Sequence, residues 1–340
     1  MPVQKPADHP TIPAPRIGVL LLNLGTPDGT DYWSVRRYLS EFLSDPRVIE
    51  TNPLIWQPIL QGVILTVRPS KSGANYARIW DKEMNESPLR VITRRQAQKL
   101  QARLGQDVLV DFGMRYGNPS TKSRIEAMQK AGCQKILIAP LYPQYSQTTT
   151  GTANDKAFDA LKTLRWQPAI RTLPAYFETP EYVAALAKSI ADGVAALPFV
   201  PDVVLTSYHG TPTSYRDAGD PYHCQCLKTT RLVREVLGWS EDRLRVTFQS
   251  RFGPTEWLQP YTVSVLEELA REKKKVAVLA PAFSVDCIET LEEIAITGHE
   301  QFVEAGGGHD DYAYIPCLND SEGGMNMLES IIRNELKGWI

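Results

Sequence analysis

Eight short apolar runs, rich in β-branched residues, alternate along the chain with longer segments of helical periodicity. Each run is apolar on both faces, as strands buried within a parallel sheet are. This strand–helix alternation predicts open parallel α/β sheets. The runs are residues 17–22, 107–112, 135–140 and 168–173 in the first half, and 202–207, 244–249, 275–280 and 311–316 in the second. Four runs in each half predict two four-stranded domains.

Two such domains suit a chain of 340 residues, since domains commonly hold ~100–200 residues each. We expect the first domain in residues 16–180 and the second in residues 181–320. A C-terminal helix in residues 321–340 is expected to pack back on the first domain. Residues 1–15 are proline-rich and lack the apolar segment of a signal peptide, which predicts a disordered tail.

Three short motifs recur in the same order in both halves, which indicates an internal duplication. The matched pairs are GTP at 25–27 and 210–212, RYG at 115–117 and RFG at 251–253, and AP at 139–140 and 280–281. The first two motifs begin 90 positions apart in the first half and 41 apart in the second. The first half therefore holds an insertion of 49 residues, the difference between these spacings, within residues 28–107.

The insertion contains the longest apolar stretch of the chain, residues 54–67, which a proline and two glutamines interrupt. It falls short of the ~18 apolar residues expected of a membrane-spanning helix. One interpretation is an extra helical layer that covers the sheet. The other is a lip over a binding cleft, with peripheral affinity for a membrane. The side chains expected to form this lip are Trp56, Ile59, Leu60 and Ile64.

Composition and charge exclude several classes of protein. An apolar content of 43% and a charged content of 22% are typical of a soluble globular protein. The net charge is −2 and no long basic run occurs, which argues against a nucleic-acid partner. Five cysteines without framework spacing indicate a reducing compartment, and we expect a cytoplasmic protein. Cys224 and Cys226 form C-x-C rather than C-x-x-C, so a structural zinc site is not predicted.

The shared motifs follow the carboxyl ends of predicted strands, where open α/β sheets bind their ligands. Neither G-x-G-x-x-G nor a Walker sequence is present, which argues against a dinucleotide or nucleotide cofactor. His209 precedes the second GTP turn, whereas Leu24 precedes the first. Because the first copy of the turn has leucine, His209 is available for chemistry. The alternative is a histidine satisfied by a local carbonyl.

A second difference between the halves supports chemistry at His209. Glu289 and Glu293 lie four positions apart, on one face of a predicted helix, and Thr148 occupies the position of Glu289 in the first half. Histidine and carboxylates in an apolar cleft can bind a divalent metal, move protons, or do both. The alternative is a capping box with Asp286 as N-cap and Glu289 as its partner.

Six motifs together resemble the ferrochelatase family, in its proteobacterial, protoporphyrin-using branch. They are NLGTPD, MRYGNP, APLYPQYSQTTTG, SYHGTP, TFQSRFGPTEWLQPYT and DCIETLEEIA. The resemblance extends from about residue 17 to the C-terminus. It implies two Rossmann-like four-stranded domains and an enzyme, a lyase that inserts Fe²⁺ into protoporphyrin IX with release of two protons, the final step of haem synthesis. The alternatives are a sibling tetrapyrrole chelatase that uses another metal, and a non-catalytic tetrapyrrole-binding module.

The resemblance also implies roles for individual residues. His209, Glu289 and Glu293 are implied as the catalytic site of metal entry and proton removal, with His209 and Glu289 as metal ligands. The residues implied to bind the substrate are Leu24, Arg115, Tyr116 and Phe283 against the macrocycle, and Arg68 and Ser87 near the propionates. Some relatives have a second histidine at the position of Cys287, which suggests that this position is not essential.

Expected partners and cofactors follow from the same resemblance. Protoporphyrin IX and Fe²⁺ are the expected substrates, and no tightly bound cofactor is predicted. Some members hold an iron–sulfur cluster in a cysteine-rich C-terminal extension, but this chain ends in RNELKGWI with only Cys317 nearby, so no cluster is predicted. We expect a cytoplasmic enzyme that contacts the inner membrane face through residues 54–67. The sequence carries no signal of oligomeric state.

Overall fold

The protein folds around two parallel four-stranded sheets, in a computed structural model that describes Asp8 and residues 14–340. The predicted tail of residues 1–15 lies almost wholly outside the described residues. The first sheet has the strand order β2-β1-β3-β4 and the second β6-β5-β7-β8. The strands are β1 Arg16–Thr26, β2 Val108–Gly117, β3 Cys133–Pro140, β4 Ala169–Thr172, β5 Val203–His209, β6 Leu244–Gln249, β7 Val276–Leu279 and β8 Tyr312–Tyr314. All eight predicted strands are confirmed.

Helices connect successive strands and cover both sheets, as parallel pairing requires. In the first half they are α1 Tyr32–Leu43, α2 Pro53–Ile59, α3 Leu65–Ile79, α4 Pro88–Leu104, α5 Thr121–Lys130 and α6 Thr152–Lys162. In the second they are α7 Pro180–Ala196, α8 Thr213–Asp217, α9 Tyr222–Leu237, α10 Thr262–Arg271, α11 His299–Glu304 and α12 Glu322–Glu335. Three π-helical segments, Leu60–Ile64, Gln147–Gly151 and Ile288–Gly298, precede α3, α6 and α11, and a 3₁₀ turn, His309–Asp311, precedes β8.

The two sheets have the same strand order, which supports the predicted duplication, but two of the three motif matches are out of register. His209 pairs with Gln249, and its counterpart Leu24 lies opposite Arg115. The structural equivalent of Arg115 is therefore Gln249, two positions before Arg251. The loop that follows is longer in the second half and carries the RFG motif beyond the strand. The Ala-Pro match is also out of register, by one position.

Hydrogen bonds locate the extra loop residues. Met114 N donates to Pro119 O at 2.8 Å in the first half, and Phe248 N donates to Pro260 O at 2.8 Å in the second. These bonds join residues five and twelve positions apart, so the second loop is seven residues longer. The additional residues lie beside His209, at the ligand-binding edge of the sheet.

The largest apolar core lies between the two sheets. It takes Val19 and Leu137 from the first sheet and Val204 and Ala277 from the second. Helix α12 adds side chains to this core and contacts α4 and α7. The domain boundary at residue 180 stays a prediction, since α7 contributes to the shared core.

The insertion forms α1, α2, the first π-helical segment and α3, between β1 and β2. Its own apolar cluster includes Val35, Leu60 and Leu65 and packs against Tyr116 of β2. Within residues 14–340, every helix is too short or too polar to cross a bilayer.

Candidate active site

His209 is the last residue of β5, at the carboxyl end of the second sheet. Its Nδ1 lies 2.6 Å from the carbonyl oxygen of Gly210. Because a carbonyl oxygen only accepts hydrogen bonds, Nδ1 carries the proton and Nε2 keeps its lone pair. The local carbonyl of the alternative interpretation is thus present, but it engages only one ring nitrogen. The other can accept a proton or bind a metal.

Both GTP turns need glycine because the neighbouring strand passes close to them. A Cβ at Gly210 would lie 2.8 Å from the carbonyl oxygen of Gln249, and one at Gly25 would lie 1.8 Å from that of Tyr116. The residue before each glycine has no such constraint, since Leu24 packs among apolar side chains in the first half. The turn therefore does not require histidine at His209.

Glu289 and Glu293 lie on the π-helix Ile288–Gly298 rather than on an α-helix. The capping alternative, with Asp286 as N-cap and Glu289 as partner, is wrong. Cys287 is the N-cap, and its backbone N–H donates to Thr290 Oγ1 at 2.9 Å. Because Thr290 closes the cap, Glu289 is not needed to begin the helix.

Glu293 is a half-buried carboxyl group close to both other candidate residues. Burial raises the pKa of Glu293 above its ordinary value of 4.5, while a hydrogen bond from Ser250 Oγ at 2.6 Å opposes the rise. The nearby His209 also lowers this pKa, and the like charge of Glu289 raises it. The structure therefore brings His209, Glu289 and Glu293 into one electrostatic site.

Gln249 connects the parts of this site and was missed by sequence reasoning. It pairs with His209 in the sheet register, accepts a hydrogen bond from Ser207 Oγ at 2.8 Å, and donates to the backbone oxygen of Glu289 at 2.7 Å. Gln249 and Ser250 lie where β6 ends, so the rule that identified His209 applies to them as well. The RFG match in the sequence selected Arg251 instead, two residues beyond Gln249.

Two buried tyrosines of the insertion face the site from the opposite side. Burial, followed by the charge of Glu289, raises the pKa of Tyr76 on α3. Burial, Tyr76 and Glu289 also raise the pKa of Tyr38 on α1. Phe283, which follows β7, packs beside Tyr208 and also beside Met114 of the first half. The candidate site thus lies between the second sheet and the insertion.

Arg115 and Tyr116 form a separate, closed cluster around Asp45. The Arg115 guanidinium pairs with Asp45, lies 4.2 Å from the Tyr116 ring centroid and donates to Thr152 Oγ1 at 2.6 Å. Tyr116 has no exposed surface and donates to Asp45 at 2.8 Å. Burial raises the pKa of Asp45, but hydrogen bonds, led by the one from Thr152, outweigh this and lower it. Tyr116 therefore has no open surface in this structure, and its contact with the macrocycle stays a prediction.

Arg68 and Ser87 lie on different helices of the first half. The Arg68 guanidinium is 4.9 Å from the ring centroid of Phe252 in the second half, and burial lowers the pKa of Arg68. Among the residues that the structure describes, no carboxylate lies within ion-pair distance of Arg68. Ser87 is buried at the N-terminus of α4. Arg68 is thus a partly desolvated cation without a paired carboxylate among the described residues, and it can take an anionic ligand.

The described part of the chain holds no group of three histidine, cysteine, aspartate or glutamate side chains that could enclose a metal ion. His209, Glu289 and Glu293 therefore do not form a closed metal cage.

Comparison with known proteins gives a family for this site. The ferrochelatase family model matches residues 16–336. The chain belongs to the ferrochelatase family. A ferrochelatase of Allorhizobium ampelinum is 57% identical over 338 residues, covering 98% of each chain. A ferrochelatase of Mesorhizobium japonicum is 58% identical, covering 100% of this chain and 96% of its own. The family predicted from the six motifs is confirmed, and with it the prediction of an enzyme.

Solved structures extend the comparison of the fold beyond the ferrochelatase family. SirB from Bacillus subtilis with Fe³⁺ superposes with a TM-score of 0.55 at 11% identity, over 95% of this chain and 97% of its own. CbiX, described as the terminal enzyme of sirohaem biosynthesis in denitrifying bacteria, gives 0.53 at 13% identity, over 94% and 100%. At such identities the likeness concerns the fold alone. The predicted duplicated Rossmann-like fold is confirmed.

Proposed function

We propose that the chain inserts Fe²⁺ into protoporphyrin IX, with release of two protons, as the final step of haem synthesis. The observation that supports this most is the meeting of His209, whose Nε2 is left free, with two carboxylates at the ligand-binding edge of the sheet. Fe²⁺ is a substrate in this proposal. Membership of the ferrochelatase family supports the same reaction.

The two charges of Fe²⁺ balance the two protons that leave the porphyrin nitrogens, and the site must take up both protons in turn. We assign metal entry to His209 Nε2 and Glu289, which leave much of the coordination sphere open. Glu293 is assigned as a proton acceptor, because its raised pKa brings it nearer to the pH at which it operates. A positioned base of this kind commonly contributes ~10²–10⁴-fold in rate.

A flat porphyrin directs its N–H groups into the ring, so a bent ring is needed to expose nitrogen lone pairs to the metal. Bending of this kind draws of order 1–5 kcal/mol from contacts remote from the metal. Leu24 and Phe283 supply apolar wall. Arg68 supplies an unpaired cation for a propionate, with Ser87 as the second proposed anchor. Arg115 supports the wall from behind through its pair with Asp45.

The insertion supports the proposal of a membrane-facing lip, but Ile59 alone of the four side chains expected there is among the exposed ones. Leu60 is fully buried, and Trp56 and Ile64 pack into the same cluster. The exposed apolar side chains of this segment are Leu54, Ile55, Ile59, Val63 and Val67, here called the apolar stripe. The last four recur at every fourth position, as one face of a helix does. We propose that the stripe contacts the inner membrane face, where a poorly soluble porphyrin would enter.

We also propose that the enzyme carries no tightly bound cofactor and no iron–sulfur cluster. Such clusters require four ligands, usually cysteine thiolates. Cys133, Cys226 and Cys287 are buried, Cys224 is exposed and Cys317 is half-buried, and the described residues hold no group of three potential metal ligands. Burial raises the pKa of the Cys287 and Cys317 thiols, which disfavours the thiolate form that binds metals.

Anaerobic incubation with Fe²⁺ and protoporphyrin IX, followed through the Soret band, tests the reaction. His209→Ala and Glu289→Gln should abolish turnover and leave the melting temperature near that of the wild type. His209→Leu should also fold, because leucine occupies the equivalent position in the first half. His299→Ala, at a half-buried histidine of α11, is the matched control and should remain active.

Near wild-type turnover by either site variant would refute the assignment of these residues. Competition between Fe²⁺, Co²⁺ and Zn²⁺ separates the proposed reaction from that of a sibling chelatase, which would prefer another metal. A non-catalytic module would bind porphyrin and leave it metal-free. Such a module has no need for carboxylates beside His209, which makes it the weaker alternative.

A further inference from the structure

An ion pair between an exposed arginine and a buried glutamate joins the insertion to the π-helix that carries the two site carboxylates. Glu292, between Glu289 and Glu293 in sequence, has a side chain only 8% exposed. Its Oε1 accepts hydrogen bonds from Arg78 Nη1 at 2.8 Å and from Thr297 Oγ1 at 3.0 Å. Arg78 lies in the last turn of α3, in the insertion. The pair therefore crosses from one side of the candidate site to the other.

Arg78 also reaches the helix that follows. Its Nη2 lies 2.5 Å from Glu300 Oε1 on α11, and the Glu300 side chain is half exposed. One guanidinium thus binds a buried carboxylate inside the π-helix and a second carboxylate just beyond it. The two contacts provide an internal comparison, since only Glu292 lies between the site residues.

The direction in which a π-helix presents its side chains depends on where the helix is held. Hydrogen bonds of the i→i+5 type are rare in proteins; they occur mostly as single turns within α-helices, and frequently at functional sites. Here Gln249 holds the backbone oxygen of Glu289, and Ser250 holds the side chain of Glu293. Both contacts come from the second sheet. Arg78 supplies a contact from the insertion, through Glu292.

Burying a carboxylate is unfavourable unless it is paired and hydrogen-bonded, and a well-packed apolar residue at the same place is often as stable. Stability alone therefore gives little reason for Glu292. A fixed charge pair between α3 and the π-helix does, however, define one rotation of that helix about its axis. That rotation sets where Glu289 and Glu293 point.

We propose that Arg78 and Glu292 are positioning residues for metal insertion, which act by holding Glu289 and Glu293 toward His209. This inference rests on the function proposed above. Neither residue touches the reacting atoms in this proposal. The pair determines how often the site carboxylates occupy the productive arrangement, so it should govern kcat more than porphyrin binding.

The test compares Glu292→Gln, Arg78→Gln and Arg78→Lys with the wild type, using anaerobic insertion of Fe²⁺ into protoporphyrin IX. We expect both glutamine variants to lower kcat by about 10–100-fold, as loss of an outer partner of a metal site commonly does. The KM for porphyrin should stay within about twofold of the wild-type value, because the contacts that bind porphyrin equally in the ground state and the transition state are unchanged. Arg78→Lys should recover part of the loss, since an ammonium still pairs as a point charge.

Two controls separate positioning from general support of the fold. Glu300→Gln removes the other partner of Arg78 and should leave kcat within about twofold of the wild type. The double variant of Arg78→Gln and Glu292→Gln should be no slower than the slower single variant, because both changes break one interaction. Amide hydrogen exchange should become faster in residues 288–298 and stay unchanged in α12.

The inference is overturned if Glu292→Gln keeps its kcat while its melting temperature falls, since the pair would then be structural only. It is also overturned if Glu300→Gln slows insertion as much as Glu292→Gln. A wild type that inserts no metal would refute the proposed function and this inference together. If the wild type is active and the Arg78 and Glu292 variants keep its kcat, this inference is refuted and the proposed function is not.

Discussion

The apolar stripe gives the most direct prediction about where the enzyme works. Its five side chains are between 43% and 85% exposed. Together they offer roughly three side chains' worth of apolar surface, or about 5–10 kcal/mol of transfer free energy as an upper limit. That is enough for peripheral binding to a membrane without a spanning helix.

Replacing Val63 and Val67 by glutamate removes the two exposed valines of the stripe. They are 61% and 72% exposed, so their loss should reduce the free energy of partition by about 2–4 kcal/mol. This corresponds to roughly a 30- to 700-fold weaker partition, since every 1.4 kcal/mol is tenfold. Liposome flotation measures the effect. The fold should tolerate both changes, because exposed positions away from packed features usually do.

The matched control places the same substitutions on exposed valines of the second half. Val200 and Val236 are 76% and 60% exposed, and Val200→Glu with Val236→Glu should float as the wild type does. Equal flotation of stripe and control variants would refute the proposed membrane contact. Glutamate at Leu60 is not a useful test, since this residue is fully buried and its replacement would unfold the insertion.

Three further predictions concern charge and thiols. Glu293→Gln should raise the melting temperature at pH 7.5 and leave it unchanged at pH 4. The pKa of Glu293 is raised in the folded state, so its ionised form destabilises the fold above about pH 4.5. A lower melting temperature at pH 7.5 would contradict this prediction. Asp45→Asn should destabilise the fold by about 3–5 kcal/mol in urea unfolding, since it leaves the buried Arg115 unpaired; an unchanged midpoint contradicts it. Cys317→Ser should retain activity, and the wild type should lack iron–sulfur absorption; labile sulfide would contradict the prediction.

The strands could be predicted because burial on both faces leaves a local signal of continuous apolar residues. A chemical role for His209 could be predicted because the first copy of the turn has leucine, which shows that the turn itself does not require histidine. The residue-by-residue correspondence between the two halves could not be predicted in the same way. The second loop is seven residues longer than the first, and a three-letter match two positions away looked equally good in sequence. Only the pairing of His209 with Gln249 reveals the true equivalence.

The insertion shows a different limit of sequence reasoning. Residues 54–67 have apolar side chains all around the helix, so periodicity cannot tell which of them face the core. Trp56 and Leu60 are fixed in place by the cluster around Tyr116, more than fifty residues later in the chain. The π-helix was also unpredicted, because i→i+5 bonding has no residue signature of its own. The contact between Arg78 and Glu292 spans 214 positions and could be found only in the folded chain.

The core shared by the two sheets has a consequence for how the molecule comes apart. Val19 and Leu137 belong to the same cluster as Val204 and Ala277, joined through side chains of α4, α7, α9 and α12, so separating the halves would expose part of this cluster to water. A half expressed alone would contain all the strands of its own sheet, but it would lack the partner surface that stabilises them. We therefore expect heating to melt both halves in a single cooperative transition, although each has a complete sheet of its own. The duplication is visible in the matching strand orders of the two sheets, but we expect the two halves to unfold together as one cooperative unit.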